Sequence, residues 1–298
     1  MGKPKALLLG KLDHAQASWS ALASIAELVT SSASNRADFI VECASGRLDG
    51  VVAICDRAPS SLATTGKYNE ELLSALPASV KFICHNGAGY DNIDISACTA
   101  RGILVSHCPR VVDDATADAA LFLILATLRG FNNGILAIRK GAWTSSIPPE
   151  PLGRDPKGKT LGILGLGGIG RNLKKKAEVF GMRVVYHNRT RLSEEVADGA
   201  EYVEFDELLA NSDVLSLNLP LNERTRNLIS RKEFDKMKKG IIIVNTARGG
   251  VLDEEALVDA INRGQTKTSM EELTISNVRA ALERKTLVSV VPEQAHLV

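Results

Sequence analysis

Gly165-Leu166-Gly167-Gly168-Ile169-Gly170 follows directly on an apolar run at 161–164 and opens a segment with helical spacing at 169–180. A G-x-G-x-x-G turn that leaves a strand and enters a helix is the phosphate-binding turn of a dinucleotide fold. Gly165 permits the tight turn, Gly167 lets a pyrophosphate approach the backbone, and Gly170 lets the helix pack closely on the sheet. The helix start adds free N–H groups and a partial positive charge. A glycine-rich loop without a ligand is the competing reading, and the strand–turn–helix context argues against it.

The end of the next strand selects the dinucleotide. An NAD site places Asp or Glu about 20 residues past the turn, where it bonds the ribose 2′-hydroxyl. Here that position holds Asn188, followed by Arg189, Thr190 and Arg191. An acid would repel a 2′-phosphate, whereas Asn and Arg can bond and neutralise one. The expected cofactor is NADP(H), with NAD(H) as the alternative if the two arginines are only solvated loop charges. Lys174, Lys175 and Lys176 read as a solvated helix face.

Outward from the turn, short apolar runs alternate with helical stretches. Strands are expected at 6–10, 50–55, 80–84 and 103–106, with helices at 19–29 and 69–76 between them. This is the pattern of right-handed crossovers and a parallel sheet. A helix over Asp113–Arg129, capped by Asp113 or Asp114, is apolar on most faces, which predicts burial between two domains. Residues 145–159 are rich in Pro, Gly and Ser and read as a linker. A second alternation gives strands at 161–164, 183–186, 214–219 and 241–245 and a weak one at Val203. A helix at 253–262 is capped by Asp253, and another is expected at 269–283. The doubly wound dinucleotide fold has six strands, so this count leaves 241–245 as an exposed edge.

Composition narrows the class. The chain has 298 residues, 45% apolar and 24% charged, with a net charge of +1. That balance argues against a nucleic-acid or anionic-membrane surface. The longest apolar run, 119–128, is too short to span a bilayer. The N-terminus does not read as a secretory signal, and Ala6 occupies the position where a myristoylation motif has Ser or Thr. Five cysteines without CxxC spacing read as reduced thiols in a cytoplasmic protein, with no metal site expected.

Further motifs give the chain a family likeness. His85-Asn86-Gly87-Ala88-Gly89-Tyr90-Asp91-Asn92-Ile93-Asp94 resembles the substrate loop of the D-isomer-specific 2-hydroxyacid dehydrogenases, and of their fungal glyoxylate/hydroxypyruvate reductase branch in particular. VDDATAD at 112–118, the glycine turn, LNLPLNERTRNLI at 217–229 and NTARGGVLDEEAL at 245–257 match in the same order. The resemblance implies two doubly wound parallel-sheet α/β domains. A flavodoxin-like substrate domain would comprise 1–110 and 267–298, and a Rossmann cofactor domain, 111–266, would lack its last strands. It implies that backbone around Ala88 and Gly89 binds a substrate carboxylate and that Arg248 is the catalytic, substrate-binding arginine. Thr116, Gly165, Gly167, Gly168, Ile169, Gly170, Asn188, Arg189, Thr190, Leu219, Pro220, Thr225, Thr246, Ala247 and Arg248 are then the expected cofactor contacts. The implied partners are a small 2-keto or 2-hydroxy acid and a second copy of the chain in a homodimer.

Two family segments have no counterpart. The family's general-acid histidine lies in P-H-x-G, and its orienting glutamate lies in D-x-F-x-x-E-P. Here Asn262-Arg263-Gly264-Gln265 runs directly into Thr266-Lys267-Thr268-Ser269. The resemblance puts roughly 40 residues between these stretches, enough for a parallel strand pair and its crossover. Losing a general acid forfeits about 10²–10⁴ in rate. Among the other histidines, His187 belongs near the adenosine end, His14 and His296 lie near the termini, and His107 follows a strand of the first unit. His85 is the remaining understudy. Three readings stand: a family enzyme with hydride-transfer chemistry, a dinucleotide-binding or dimer-partner protein without turnover, and a chain that does not fold stably.

Overall fold

In the computed structural model the chain divides into two compact units, Met1–Val111 and Val112–Val298. The structure describes residues 2–57, 60–139, 141 and 153–267. Most of the expected linker and the expected helix at 269–283 lie outside the described residues.

The first unit is a five-stranded parallel sheet. Its strands are β1 (Lys5–Leu9), β2 (Glu27–Thr30), β3 (Val51–Asp56), β4 (Phe82–His85) and β5 (Leu104–Ser106), in the order β2-β1-β3-β4-β5. Helices α1 (Gln16–Ala21), α2 (Arg36–Ala44), α3 (Leu62–Thr65), α4 (Glu70–Ala75) and α5 (Ile95–Ala100) connect them. The Asn35, Asn69 and Asp94 side chains cap α2, α4 and α5 by accepting from the amide three residues on. Leu7, Leu9, Phe39, Ile54, Leu72 and Ile83 are among the residues that fill the core. The helix expected at 19–29 is a correction: α1 ends at Ala21, a 3₁₀ turn follows, and the chain becomes β2. β2 is an edge strand with no fully buried residue. It lacks the continuous apolar run that marks the inner strands, and its leucine and valine mimicked helical spacing.

The second unit begins with α6 (Asp113–Arg129) and α7 (Phe131–Arg139). Its strands are β6 (Thr160–Leu164), β7 (Arg183–His187), β8 (Glu201–Tyr202), β9 (Val214–Leu217), β10 (Ile241–Asn245) and β11 (Thr266–Lys267). Helices α8 (Gly168–Val179), α9 (Glu194–Ala197), α10 (Phe205–Asn211), α11 (Arg231–Lys236) and α12 (Glu254–Asn262) complete it. The sheet order is β11-β10-β9-β6-β7-β8, all parallel. In sequence terms this is the doubly wound order 3-2-1-4-5-6. The sheet is buried on both faces, and its strands alternate between two cores. Leu215, Leu217, Ile241 and Ile243 pack with α10, α11 and α12, whereas Val214, Ile242, Val244 and Ile163 pack with α6 and α8.

Four expectations for this unit are corrected. The flank of β10 is not a bare edge, because Ile241 and Ile242 pair with Thr266 and Lys267. A sixth strand position is therefore taken, though over two residues. The cap of α6 is Val112, and no side chain bonds the first turn; Asp113 and Asp114 lie inside the helix. α6 buries one face only, through Ala117, Ala120, Ile124 and Leu128, and leaves Phe122 exposed. Lys174 is not solvated: it is buried, with its Nζ 3.0 Å from the Glu178 carboxylate.

Candidate functional site

β6 ends at Leu164, and the chain turns at Gly165 with φ +98°, a conformation that L side chains rarely adopt. A Cβ on Gly165 would lie 2.8 Å from the Asn218 carbonyl oxygen. A Cβ on Gly170 would lie 2.7 Å from the Gly165 carbonyl oxygen, so the helix must approach its own turn without one. Gly167 faces open space, as a backbone that receives a ligand requires. Gly168 has a different role from its neighbours, because its Cα packs against the Asp113 carboxylate at the start of α6. No side chain caps α8, so the amides of Gly168, Ile169 and Gly170 have no protein acceptor among the described residues. The Leu166 amide is occupied: it donates to Asn188 Oδ1 at 2.7 Å, which ties the turn to the end of β7.

Beside that turn lies a cavity of about 710 Å³. Asn188, Arg189, Thr190, Leu219, Pro220 and Thr225 all line it, so six of the residues singled out from sequence come together. His187, Phe205, Asn222, Arg224 and Leu228 also line it and were not singled out as contacts. No carboxylate is among the lining residues. The His187 ring is fixed by Nδ1, 2.9 Å from the Val203 carbonyl oxygen, and lies 5.7 Å from the Phe205 ring. Arg224 sits in a turn built by Asn222, whose Oδ1 accepts from the amides of Arg224 and Thr225. The Thr225 hydroxyl donates to the Pro220 carbonyl at 2.6 Å. An Asn in a polar loop is an Asx-turn signal, and Asn222 could have placed Arg224, two residues on, at a turn. Arg191 departs from the expected pair with Arg189. Its guanidinium lies 5.7 Å over the Tyr202 ring and does not line this cavity.

At the C-terminal ends of the neighbouring strands, β9 and β10, two buried oxygens have no hydrogen-bond partner: Asn218 Oδ1 and Thr246 Oγ1. Such groups are costly unless something satisfies them. They stand where open α/β sheets bind ligands, outside the carboxyl ends of the strands. Asn245 builds the loop that follows. Its Oδ1 accepts from the Ala247 amide at 3.0 Å, and its Nδ2 donates to the Arg248 carbonyl at 2.9 Å. Arg248 is half-buried, with Nη1 3.0 Å from the Ala247 carbonyl oxygen. Thr116 is half-buried on α6 and, like Ile169, does not line the cavity. Free amides at the helix start, a cationic cavity and unpartnered oxygens at the strand ends together fit a dinucleotide.

In the first unit, Ala88 and Gly89 lie in the loop after β4. The Gly87 carbonyl accepts from the Cys108 amide at 3.0 Å, and the Ala88 carbonyl lies 2.9 Å from His107 Nδ1. His85 is buried. Its Nδ1 is 2.5 Å from Asp56 Oδ2, and its Nε2 is 3.0 Å from the Gly89 carbonyl oxygen.

Comparison with known proteins agrees with this geometry. The family "D-isomer specific 2-hydroxyacid dehydrogenase, NAD binding domain" matches residues 121–270, within the second unit, and indicates a nicotinamide cofactor. A 4-methyl-2-oxopentanoate reductase of Aspergillus oryzae is 45% identical and covers 99% of each chain. That alignment runs over 331 positions against the 298 residues here. Glyoxylate reductase 1 of Saccharomyces cerevisiae is 42% identical over 90% of this chain and 78% of its own. The crystal structure of a glyoxylate reductase from Paecilomyes thermophila superposes with a TM-score of 0.85 at 45% identity, covering 99% of this chain and all of the other. With the sheet order, the glycine turn and these likenesses in agreement, the chain belongs to the D-isomer-specific 2-hydroxyacid dehydrogenases, a family of NAD(P)-dependent 2-hydroxyacid oxidoreductases.

Proposed function

We propose that the chain binds NADP(H) in preference to NAD(H), together with a small 2-keto acid such as glyoxylate or hydroxypyruvate. The observation that carries the cofactor choice is a cavity lined by two arginines, Arg189 and Arg224, and by no carboxylate. A 2′-phosphate gains charge-assisted hydrogen bonds there, whereas the ribose 2′-hydroxyl of NAD lacks the acid that usually accepts from it. The backbone of Gly167, Gly168, Ile169 and Gly170 holds the pyrophosphate. Asn188, Arg189 and Thr190 hold the phosphorylated ribose, and Leu219, Pro220 and Thr225 form the apolar and turn walls. Thr116, Thr246, Ala247 and Arg248 complete the cofactor contacts.

When bound, the nicotinamide supplies hydride to the keto carbon. The chain's own groups bind and polarise the acid: the amides of Ala88 and Gly89 take its carboxylate, and the Arg248 guanidinium draws charge onto the carbonyl oxygen. Proton delivery is the weak step, since the segments that carry the family's histidine and glutamate have no counterpart after Gln265. The alignment with the A. oryzae reductase, 331 positions against 298 residues, is long enough to hold an internal gap of that size. Turnover is therefore expected about 10²–10⁴-fold below that of relatives, with cofactor binding retained. A binding protein without turnover is the second reading, and the missing segments favour it. NADPH binding measured beside glyoxylate and hydroxypyruvate reduction separates the two. Binding with slow reduction supports the first reading, and binding with no reduction at any enzyme concentration supports the second.

A homodimer belongs to the same proposal. Phe122 of α6 and Phe131, Ile135 and Ile138 of α7 are all exposed, an apolar face suited to a second copy of the chain. Five free thiols support a reducing, cytoplasmic setting.

A further inference from the structure

The loop after β4 is held through its carbonyl groups. Gly87, Ala88 and Gly89 each present their oxygen to a donor: the Cys108 amide, the His107 ring and the His85 ring in turn. A trans peptide points the next N–H opposite to each carbonyl. The amides of Ala88, Gly89 and Tyr90 are therefore directed away from those donors, and none has an acceptor among the described residues. A run of outward amides of this kind receives an anion. What fixes its far end is a buried pair, with His85 3% and Asp56 0% exposed.

The proton count of that pair is constrained. The Gly89 carbonyl can only accept, so Nε2 of His85 must carry hydrogen. The 2.5 Å contact between Nδ1 and Asp56 Oδ2 then needs a further proton between them. Remove that proton and an imidazole lone pair faces a carboxylate. The ring must then give up either Asp56 or the Gly89 carbonyl, in a site where Asp56 Oδ1 already has no partner. The charged and titratable groups around the ring are Asp56 on β3, the buried Tyr68 hydroxyl before α4, Asp91 in the loop itself, and His107 and Cys108 after β5.

We infer that the His85–Asp56 pair positions the anion-binding loop, and that it holds Ala88, Gly89 and Tyr90 amides outward only while it keeps its shared proton. Both residues are positioning residues; neither is assigned contact with the substrate. The hydrogen bond with Asp56 raises the His85 pKa, burial opposes this, and the Asp56 and Asp91 charges add to the rise. A group raised in the folded state keeps its contribution at low pH and loses it as pH climbs through the folded value. Loop order is thus complete in mild acid and lost toward alkaline pH.

The test is hydrogen exchange of the bonded amides that tie the loop down, Asn86 (to the Asp56 carbonyl) and Cys108 (to the Gly87 carbonyl), in the full-length chain between pH 6 and pH 9, corrected for intrinsic rates. It is paired with calorimetric binding of glyoxylate in the presence of NADPH. In the unsubstituted protein, protection of the loop should fall about tenfold as pH rises, and the glyoxylate Kd should rise with it. His85→Phe should show low protection at every pH, and His85→Gln, which keeps a donor for the Gly89 carbonyl, should recover part of it. Asp56→Asn is the discriminating variant. Its amide can donate to Nδ1 with no extra proton, so protection should become independent of pH. A loop whose protection does not change with pH in the unsubstituted chain overturns the inference, even if every variant fails to fold. So does Asp56→Asn retaining the pH dependence. The glyoxylate arm rests on the proposed substrate reading, and its failure alone would remove that reading while the exchange result stands.

Discussion

Arg189 and Arg224 flank one cavity, and a single charge-assisted hydrogen bond to a phosphate is worth enough to show in binding. Both arginines are exposed, so solvent screening trims the effect. Arg189→Ala and Arg224→Ala should each weaken NADPH binding about tenfold, and NADH binding by little, in fluorescence titration. Asn188→Asp should keep the bond to the Leu166 amide, since a carboxylate also accepts, but should set a negative charge beside the 2′-phosphate. The expected result is a shift of preference toward NADH. Arg191→Ala should leave both affinities unchanged, because its guanidinium lies over Tyr202. The placement of the glycine turn after β6, and of Asn188 and Arg189 after β7 beside the cavity, was legible in the sequence because residue type and distance from a strand end carry it. Arg224 and the Arg191 displacement were not, because they depend on where a loop folds back and which aromatic ring lies beneath a side chain. The Gly168 contact with Asp113 was hidden for the same reason: two helices far apart in sequence meet there.

At the scale of elements, interior strands announced themselves and edges did not. β3, β6, β9 and β10 are covered on both faces and read as apolar runs, whereas β2, β8 and β11 are short or half-exposed and carry little pattern. Caps followed the same division. Asp253 caps α12 by accepting from the Ala256 amide at 3.0 Å, as its sequence position indicated, but α6 starts at Val112 without a side-chain cap. Asp253→Ala should lower stability by about 1 kcal/mol in urea unfolding, with no change in NADPH affinity. Gly170→Ala should cost more, about 1–3 kcal/mol, because a backbone oxygen sits where the methyl would go. The exposed apolar face of α6 and α7 carries its own expectation. Ile138→Asp should shift the chain from dimer to monomer in light scattering, and a dimer that survives the change would place the interface elsewhere.

For the whole molecule, two parallel sheets form, and among the described residues the last strand of the second spans two residues. Ile241 and Ile242 of β10 pair with Thr266 and Lys267 of β11 among the described residues. The glycine turn and the cavity beside it lie beyond that strand, at the ends of β6, β7 and β9. Purified full-length chain titrated calorimetrically with NADPH and with NADH tests the proposed site most directly. One site should take NADPH at least about tenfold more tightly than NADH, with the difference lost in Arg189→Ala. Heat from neither coenzyme, or equal affinity for the two, would rule out an arginine-lined site for the 2′-phosphate.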